Sequence, residues 1–332
     1  MVMPAPEVVH RAAGALPNIS DIRAAQQRIA RWIHRTPLLR NSTLDGLAGR
    51  QLRFKCELFQ RVGAFKFRGA CNAVMALSAD QAAHGVVTHS SGNHAQALAL
   101  AARLRGIAAT IVMPQGAPAV KRRAVEGYGA RVVECAPTLA AREEACEREI
   151  ARSGAVLIHP YDNFDVIAGQ GTVALEIFED EPEVEAIIAP IGGGGLMSGI
   201  AIATRALRPD ALILAAEPAL AQDAAVGKQL GVRQGPMPPK TIADGLRTAL
   251  SPRTFSAVRD LVDEVLTVPE EEIVPAMRLL WERAKLMAEP SSAVALAAVL
   301  SESFRARQTP RCLAVVLSGG NVDLESLPFQ AV

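Results

Sequence analysis

The chain is short of lysine. Only six of its 35 basic side chains are lysine (Lys55, Lys66, Lys121, Lys228, Lys240 and Lys285), and the rest are arginine. Arginine cannot form a Schiff base, whereas a desolvated lysine amine can. Aromatic residues are scarce as well, at 4%, and the formal net charge is only +1. With no basic face and no stacking rings, nucleic acid is not an expected partner. The five cysteines, Cys56, Cys71, Cys135, Cys146 and Cys312, are scattered and include no CxxC pair. They offer no zinc site and no disulfide framework, and read as reduced thiols in a cytoplasmic protein. Long apolar runs are missing too. Residues 1–20, MVMPAPEVVHRAAGALPNIS, hold no stretch of signal-peptide length, and Ala293–Leu300 is far too short to span a bilayer. The expectation is a soluble protein without membrane contact.

A chain of 332 residues at half apolar composition has ample core for one large or two medium domains. A helical period begins after Ser20 or Asp21, either of which can cap it, and stops near Pro37. From about Gly85 one unit recurs: a β-rich run, a Gly/Ser loop, an Ala/Leu-rich helix pattern and another β-rich run. GVVTHSSGNHAQALALAARLRGIAATIVMP shows it, as does AIIAPIGGGGLMSGIAIATRALRPDALILAAEP, and CLAVVLSGG adds a further strand and loop. Near-continuous apolar strands alternating with helices predict an α/β fold of parallel sheets covered on both faces. Such sheets bind ligands at the carboxyl ends of their strands, which directs the search to the strand-to-loop junctions.

Three junctions and one lysine stand out. In PIGGGGLMSG, Gly192, Gly193, Gly194 and Gly195 separate a strand from a helix. Bare backbone N–H groups beside a helix N-terminus form a phosphate cradle, although a tight packing turn is the plainer alternative. The loop is neither a Walker loop nor a dinucleotide fingerprint, because Met197 or Ser198 stands where the third glycine would be. In THSSGNHAQA, Ser90, Ser91, Gly92, Asn93 and His94 gather small donors that suit a carboxylate or merely cap a helix. Ser318 and Asn321 in VVLSGGNVD lie at the last strand's end, where an ordinary glycine turn is the simpler reading. Glu217 and Asp223 suit a hard cation such as Mg²⁺ or Ca²⁺, though paired acids are more often solvated. Lys66, set between Phe65 and Phe67, reads on spacing alone as a structural side chain.

Taken in order, GAFKFRGA, SSGNHAQA, GQGT, GGGG, EP, TIADGLR and SGGN resemble the serine/threonine dehydratase and serine racemase family. That family has the tryptophan-synthase-β fold type of pyridoxal-phosphate enzymes, and the resemblance extends from Thr36 to Leu324. It implies two three-layer α/β domains with the cofactor between them: a large domain of 1–79 plus 154–332 and a small mobile one of 80–153. It also implies that Lys66 carries the cofactor as a Schiff base, with Phe65 and Phe67 keeping the amine dry. Gly192–Gly195 would hold the phosphate, Asn93 the ring 3′-oxygen and Ser318 the ring nitrogen. Ser90, Asn93 and His94 would take the substrate carboxylate, and Ser91 would be the acid/base on the face opposite Lys66. Glu217, Asp223 and the Ala221 carbonyl would hold Mg²⁺ or Ca²⁺.

The activity expected is dehydration of a β-hydroxy amino acid to a 2-oxo acid and ammonia. Racemisation on the same scaffold is the alternative, and a non-catalytic phosphate-ligand binder the alternative of another class. A small amino acid is the expected substrate and a homodimer the expected assembly. Ala64, where the family often has serine, and HPYDNFD (159–165) tilt the reading toward 3-hydroxyaspartate dehydratases. Its second carboxylate would need an arginine, for which Arg61, Arg68 and Arg131 are candidates. Gln222 stands where an acid is common between the cation ligands. No regulatory domain follows Asp323, so the allosteric control of biosynthetic threonine dehydratases is not expected.

Overall fold

The computed structural model describes residues 14–116, 119–238 and 240–329. Of residues 1–20, on which the signal-peptide reading was made, 1–13 lie outside them. Among the described residues ten strands form two sheets. The larger has the order β1-β2-β10-β7-β8-β9, made from β1 (Leu38–Leu39), β2 (Gln51–Cys56), β7 (Ala186–Pro190), β8 (Leu212–Pro218), β9 (Glu264–Val268) and β10 (Cys312–Leu317). The smaller runs β5-β4-β3-β6, made from β3 (Val86–His89), β4 (Ala109–Pro114), β5 (Arg131–Cys135) and β6 (Val156–Leu157). Only β1 pairs antiparallel, with β2; every other pairing is parallel. The α/β class follows from that.

Burial explains the composition. Every residue of β7 and β10 is buried, because helices cover both faces of the larger sheet. One face packs Phe54, Met277 and Leu296, the other Ile22, Val173 and Ile200. The apolar run at Ala293 belongs to the helix Pro290–Leu300, buried from Ser291 to Val299, so its hydrophobicity on all sides marks an interior helix. All five cysteines are buried and unpaired. No helix among the described residues is long and apolar enough to cross a membrane.

The first helix begins earlier than the sequence reading has it. Asn18 is the cap of Ile19–Ile29: its side chain accepts from the N–H groups of Ser20 at 2.8 Å and Asp21 at 3.3 Å. Asp21 returns the bond to the Asn18 N–H at 2.9 Å, which makes it the third-position partner of a capping box rather than the cap. The helix also ends at Ile29, before Pro37 is reached.

Candidate active site

Lys66 opens the helix Lys66–Ala76. The turn before it is stitched to the loop that follows β10. Phe65 donates its N–H to the Ser318 carbonyl at 3.0 Å, Gly320 donates to the Gly63 carbonyl at 2.9 Å, and Ala64 pairs with Gly319. The Asn321 amide donates to the Val62 carbonyl at 2.7 Å. Val62 and Gly63 both have positive φ, 59° and 70°, so this is a tightly specified bend. The Lys66 amine donates to the Pro160 carbonyl at 2.9 Å and lies 5.0 Å from the centre of the Phe65 ring. Burial lowers its pKa to about 8, against the pull of Glu289. A substantial neutral fraction near neutral pH is what a nucleophilic amine needs. Phe67 does not share in screening it: that ring is wholly buried in a separate core with Ile29, Ala70 and Leu98.

A buried ion network fixes the helix that carries this lysine. Arg68 reaches Glu57 and Glu176, each at 2.7 Å, and Lys55 reaches Glu176 and the Thr36 carbonyl, each at 2.6 Å. Two cations and two anions thus leave water together, and removing one would strand the others. This network also takes Arg68 away from any substrate. Arg131 is paired with Glu149 on the small sheet's outer strand, so of the three arginines considered only Arg61 stays uncommitted to an ion pair among the described residues.

The glycine loop follows β7 and runs into the helix Gly195–Leu207, whose N-terminus has no side-chain cap. A methyl group at Gly193 would strike the Tyr161 ring. One at Gly192 would lie 2.9 Å from the Leu246 backbone, and one at Gly195 would lie 2.9 Å from Tyr161. Gly194 has φ +82°, which side-chain-bearing residues rarely adopt. The loop is therefore pure backbone pressed between Tyr161 and the 245–246 segment, with unpaired N–H groups at a helix start. That is a chemically sound anion cradle. Tyr161 itself lies edge-on to His159 at 4.5 Å, and His159 edge-on to His89 at 5.5 Å. Burial pushes His159 down to about 3, so it is neutral.

The SSGNH loop lies between β3 and the helix Asn93–Arg105. Ser90 is held by its N–H on the Val112 carbonyl at 3.1 Å. Ser91 is half-buried, and its hydroxyl makes no hydrogen bond among the described residues. His94 bonds the Ile158 carbonyl through Nε2 at 3.0 Å, while its buried Nδ1 has no partner among them. Burial lowers its pKa to about 3, so the ring is neutral with its proton on Nε2. Its imidazole then has no charge and no free donor for a substrate carboxylate. The contact expected of His94 moves to its backbone N–H, in the first turn of the helix.

Asn93 donates to both oxygens of Glu289, at 3.1 and 3.2 Å, and accepts from the Asn321 amide at 2.9 Å. Sequence reasoning missed Glu289. Burial raises its pKa to about 7, Asp244 adds to that, and the bonds from Asn93 and Asn321 oppose it. Ser318 hydrogen-bonds Ser292, also overlooked, at 3.0 Å.

Glu217 is the penultimate residue of β8 and accepts from the N–H groups of Ala224 at 3.0 Å and Ala225 at 2.9 Å. Burial lifts Glu217 to about 8 and Asp223 to about 6, and Asp223 adds to the shift of Glu217. No cluster of three acidic, histidine or cysteine side chains forms a metal site among the described residues. Two buried, mutually repelling carboxyls with the buried Ala221 beside them nonetheless suit an oxygen-seeking cation in charge and donor type.

A desolvated lysine and a phosphate cradle at the strand ends of a two-sheet α/β protein define an enzyme of the lysine-anchored phosphate-cofactor class. The sequence matches the family described as pyridoxal-phosphate dependent enzyme over residues 29–319, and the chain belongs to it. It is 51% identical to serine racemase of Arabidopsis thaliana, over 93% of this chain and 95% of that protein. Maize serine racemase superposes with a TM-score of 0.91 at 47% identity, covering 94% of this chain and 95% of that one. A threonine deaminase from T.th. superposes at 0.88 with 44% identity, covering 93% and 99%. The α/β fold of parallel sheets expected from the sequence, of the tryptophan-synthase-β type of pyridoxal-phosphate enzymes, is therefore the fold found. Of the two activities weighed, racemisation is the better supported.

Proposed function

We propose that this enzyme interconverts the enantiomers of serine, and that loss of the β-hydroxyl with ammonia release is a companion outcome on the same substrate. The observation that carries the reading is a desolvated Lys66 amine, in a chain similar to serine racemases over nearly its whole length that also carries a Ser91 hydroxyl without a hydrogen bond among the described residues. Pyridoxal phosphate, when bound, supplies a carbonyl for the substrate amine and an electron sink for the α-carbon.

The chain's own groups do the rest. Gly192–Gly195 hold the phosphate through backbone N–H groups, and Asn93 and Ser318 fix the ring at its 3′-oxygen and nitrogen. Phe65 shields the amine side. Ser90, Asn93 and the His94 N–H take the substrate carboxylate. Lys66 removes or returns the α-proton on one face, and Ser91 does so on the other. The segment 80–153 closes over the substrate and keeps water out. Glu217, Asp223 and the Ala221 carbonyl bind Mg²⁺ or Ca²⁺ away from the chemistry and stabilise that loop. We place the enzyme in the cytoplasm as a homodimer.

Chiral chromatography of L-serine incubated with the holoenzyme, alongside an assay for ammonia, tests this. D-serine should accumulate. Ammonia release without any D-serine would return the reading to a dehydratase, for which the likeness to the threonine deaminase speaks. L-threo-3-hydroxyaspartate in the same panel checks whether Arg61 serves a second carboxylate. Preference for that diacid would revive the hydroxyaspartate branch.

A further inference from the structure

His159 opens the run HPYDNFD, just past the strand Val156–Leu157. Its imidazole is half-buried, and its hydrogen bonds settle which ring nitrogen carries the proton. Nδ1 accepts from the Asp162 N–H at 2.9 Å and from the Tyr161 N–H at 3.4 Å. A nitrogen that receives N–H groups offers its lone pair, so the neutral ring holds its one proton on Nε2. That Nε2–H has no partner among the described residues.

The ring is not free to take this donor elsewhere. Tyr161 lies edge-on to it at 4.5 Å and His89 edge-on at 5.5 Å, and a flip would forfeit both backbone bonds to Nδ1. The loop that carries it is fixed as well. Asp162 pairs with Arg253 at 3.3 Å, and the Pro160 carbonyl holds the Lys66 amine at 2.9 Å. The imidazole stands among groups of the site. His89 is the residue before Ser90, Lys66 is near enough to act on the charge of His159, and His159 acts on that of His94.

We propose that His159 is a specificity-determining residue: its fixed Nε2–H donates to the β-hydroxyl oxygen of the substrate. This rests on the proposed function, under which the cofactor takes the amino group and Ser90, Asn93 and the His94 N–H take the carboxylate. The hydroxyl is then the one polar group of serine left to be recognised. A donor without charge suits it, because a hydroxyl oxygen accepts one hydrogen bond without needing an ion pair. An amino acid lacking a β-oxygen would leave the Nε2–H unpaired in the closed pocket, and the site discriminates against it for that reason.

The test titrates holoenzyme with L-serine and L-alanine and reads the cofactor absorbance on rapid mixing, before turnover. His159→Asn keeps a polar atom near Nδ1 to brace the loop and removes the distal donor. His159→Gln does the reverse: it sets an amide N–H near Nε2 and gives up the Nδ1 acceptor. The melting temperature of each checks that it is folded. Wild type should bind L-serine about tenfold more tightly than L-alanine, the scale of one well-made neutral hydrogen bond. His159→Asn should bring that ratio close to one, mainly by weakening L-serine, and His159→Gln should keep part of it. In protein carrying nitrogen-15 histidine, L-serine but not L-alanine should move the Nε2 resonance that His159→Asn removes. An unmoved resonance overturns the proposal even where a variant misfolds. So does an unaltered ratio in His159→Asn beside a damaged His159→Gln, which would make the ring a brace for the 160–162 loop alone. In both cases an absorbance that responds to the two amino acids leaves the site reading standing. If neither amino acid changes the absorbance, the proposed function falls and takes this inference with it.

Discussion

The side-chain amides of Asn93 and Asn321 meet head-on, with the Asn321 nitrogen donating to the Asn93 oxygen at 2.9 Å. Asn93 heads the helix after β3 in the small sheet, and Asn321 follows β10 in the large one. Glu289 accepts from both, through the Asn93 amide and the Asn321 N–H. A single polar clip thus joins the two loops: the Glu289 carboxyl orients the Asn93 amide, while the Val62 carbonyl and the Asn93 oxygen orient the Asn321 amide.

Lys66→Ala should load no cofactor covalently and lose turnover by at least ~10³-fold while melting as a folded protein. The pH dependence of the wild-type amine is as informative. With its pKa lowered to about 8, borohydride-trapped labelling by a small aldehyde in cofactor-free protein should rise with pH and level off above that value. Labelling that keeps climbing past about pH 10, as for an exposed lysine, would contradict a dry pocket.

Ser91→Ala removes the only proton donor proposed for the second face. Racemisation in both directions should fall by ~10²-fold or more, the usual share of a positioned acid or base. Ammonia release from L-serine should survive, because Lys66 still serves its own face. Equal loss of both activities would mean that Ser91 binds substrate rather than moving a proton.

Gly193→Ala sets a methyl group against the Tyr161 ring. Pyridoxal phosphate affinity, followed by fluorescence titration, should weaken at least ~10-fold, since either the ring or the loop must move. The double variant with Tyr161→Ala should regain part of the loss. No regain would place the damage in the loop backbone alone.

Removing divalent cations with a chelator should lower the melting temperature by several degrees, and Mg²⁺ or Ca²⁺ should restore it. Glu217→Gln should melt at one temperature with or without the cation. A wild-type melting curve that ignores both chelator and cation would remove the metal from the account.

Much of the candidate site was legible because it is local in sequence. The four glycines and SSGNH each occupy a few consecutive residues at strand ends, where parallel sheets bind ligands, and Lys66 stands in the short GAFKFRGA run. Glu289 and Ser292 were not legible, because AEPSSAV reads as an ordinary helix start and acquires meaning only when β10 brings Gly319 beside it. The arginines show the converse. Arg68 follows the lysine by two positions and looked available, but it spans two buried glutamates more than a hundred residues apart in sequence.

The Arg68, Glu57, Glu176 and Lys55 network draws nothing from the stretch that builds the small sheet, Val86 to Leu157. The ion pairs that hold the lysine's helix therefore lie outside the stretch that carries the substrate loop, while the helix's apolar face shares a core with Leu98 and Ile111 of that stretch. A chimaera taking residues 86–157 from a relative would keep these ion pairs while receiving a different Ser91 loop, and its lysine would stay in register only where the apolar partners of Phe67 and Ala70 are kept.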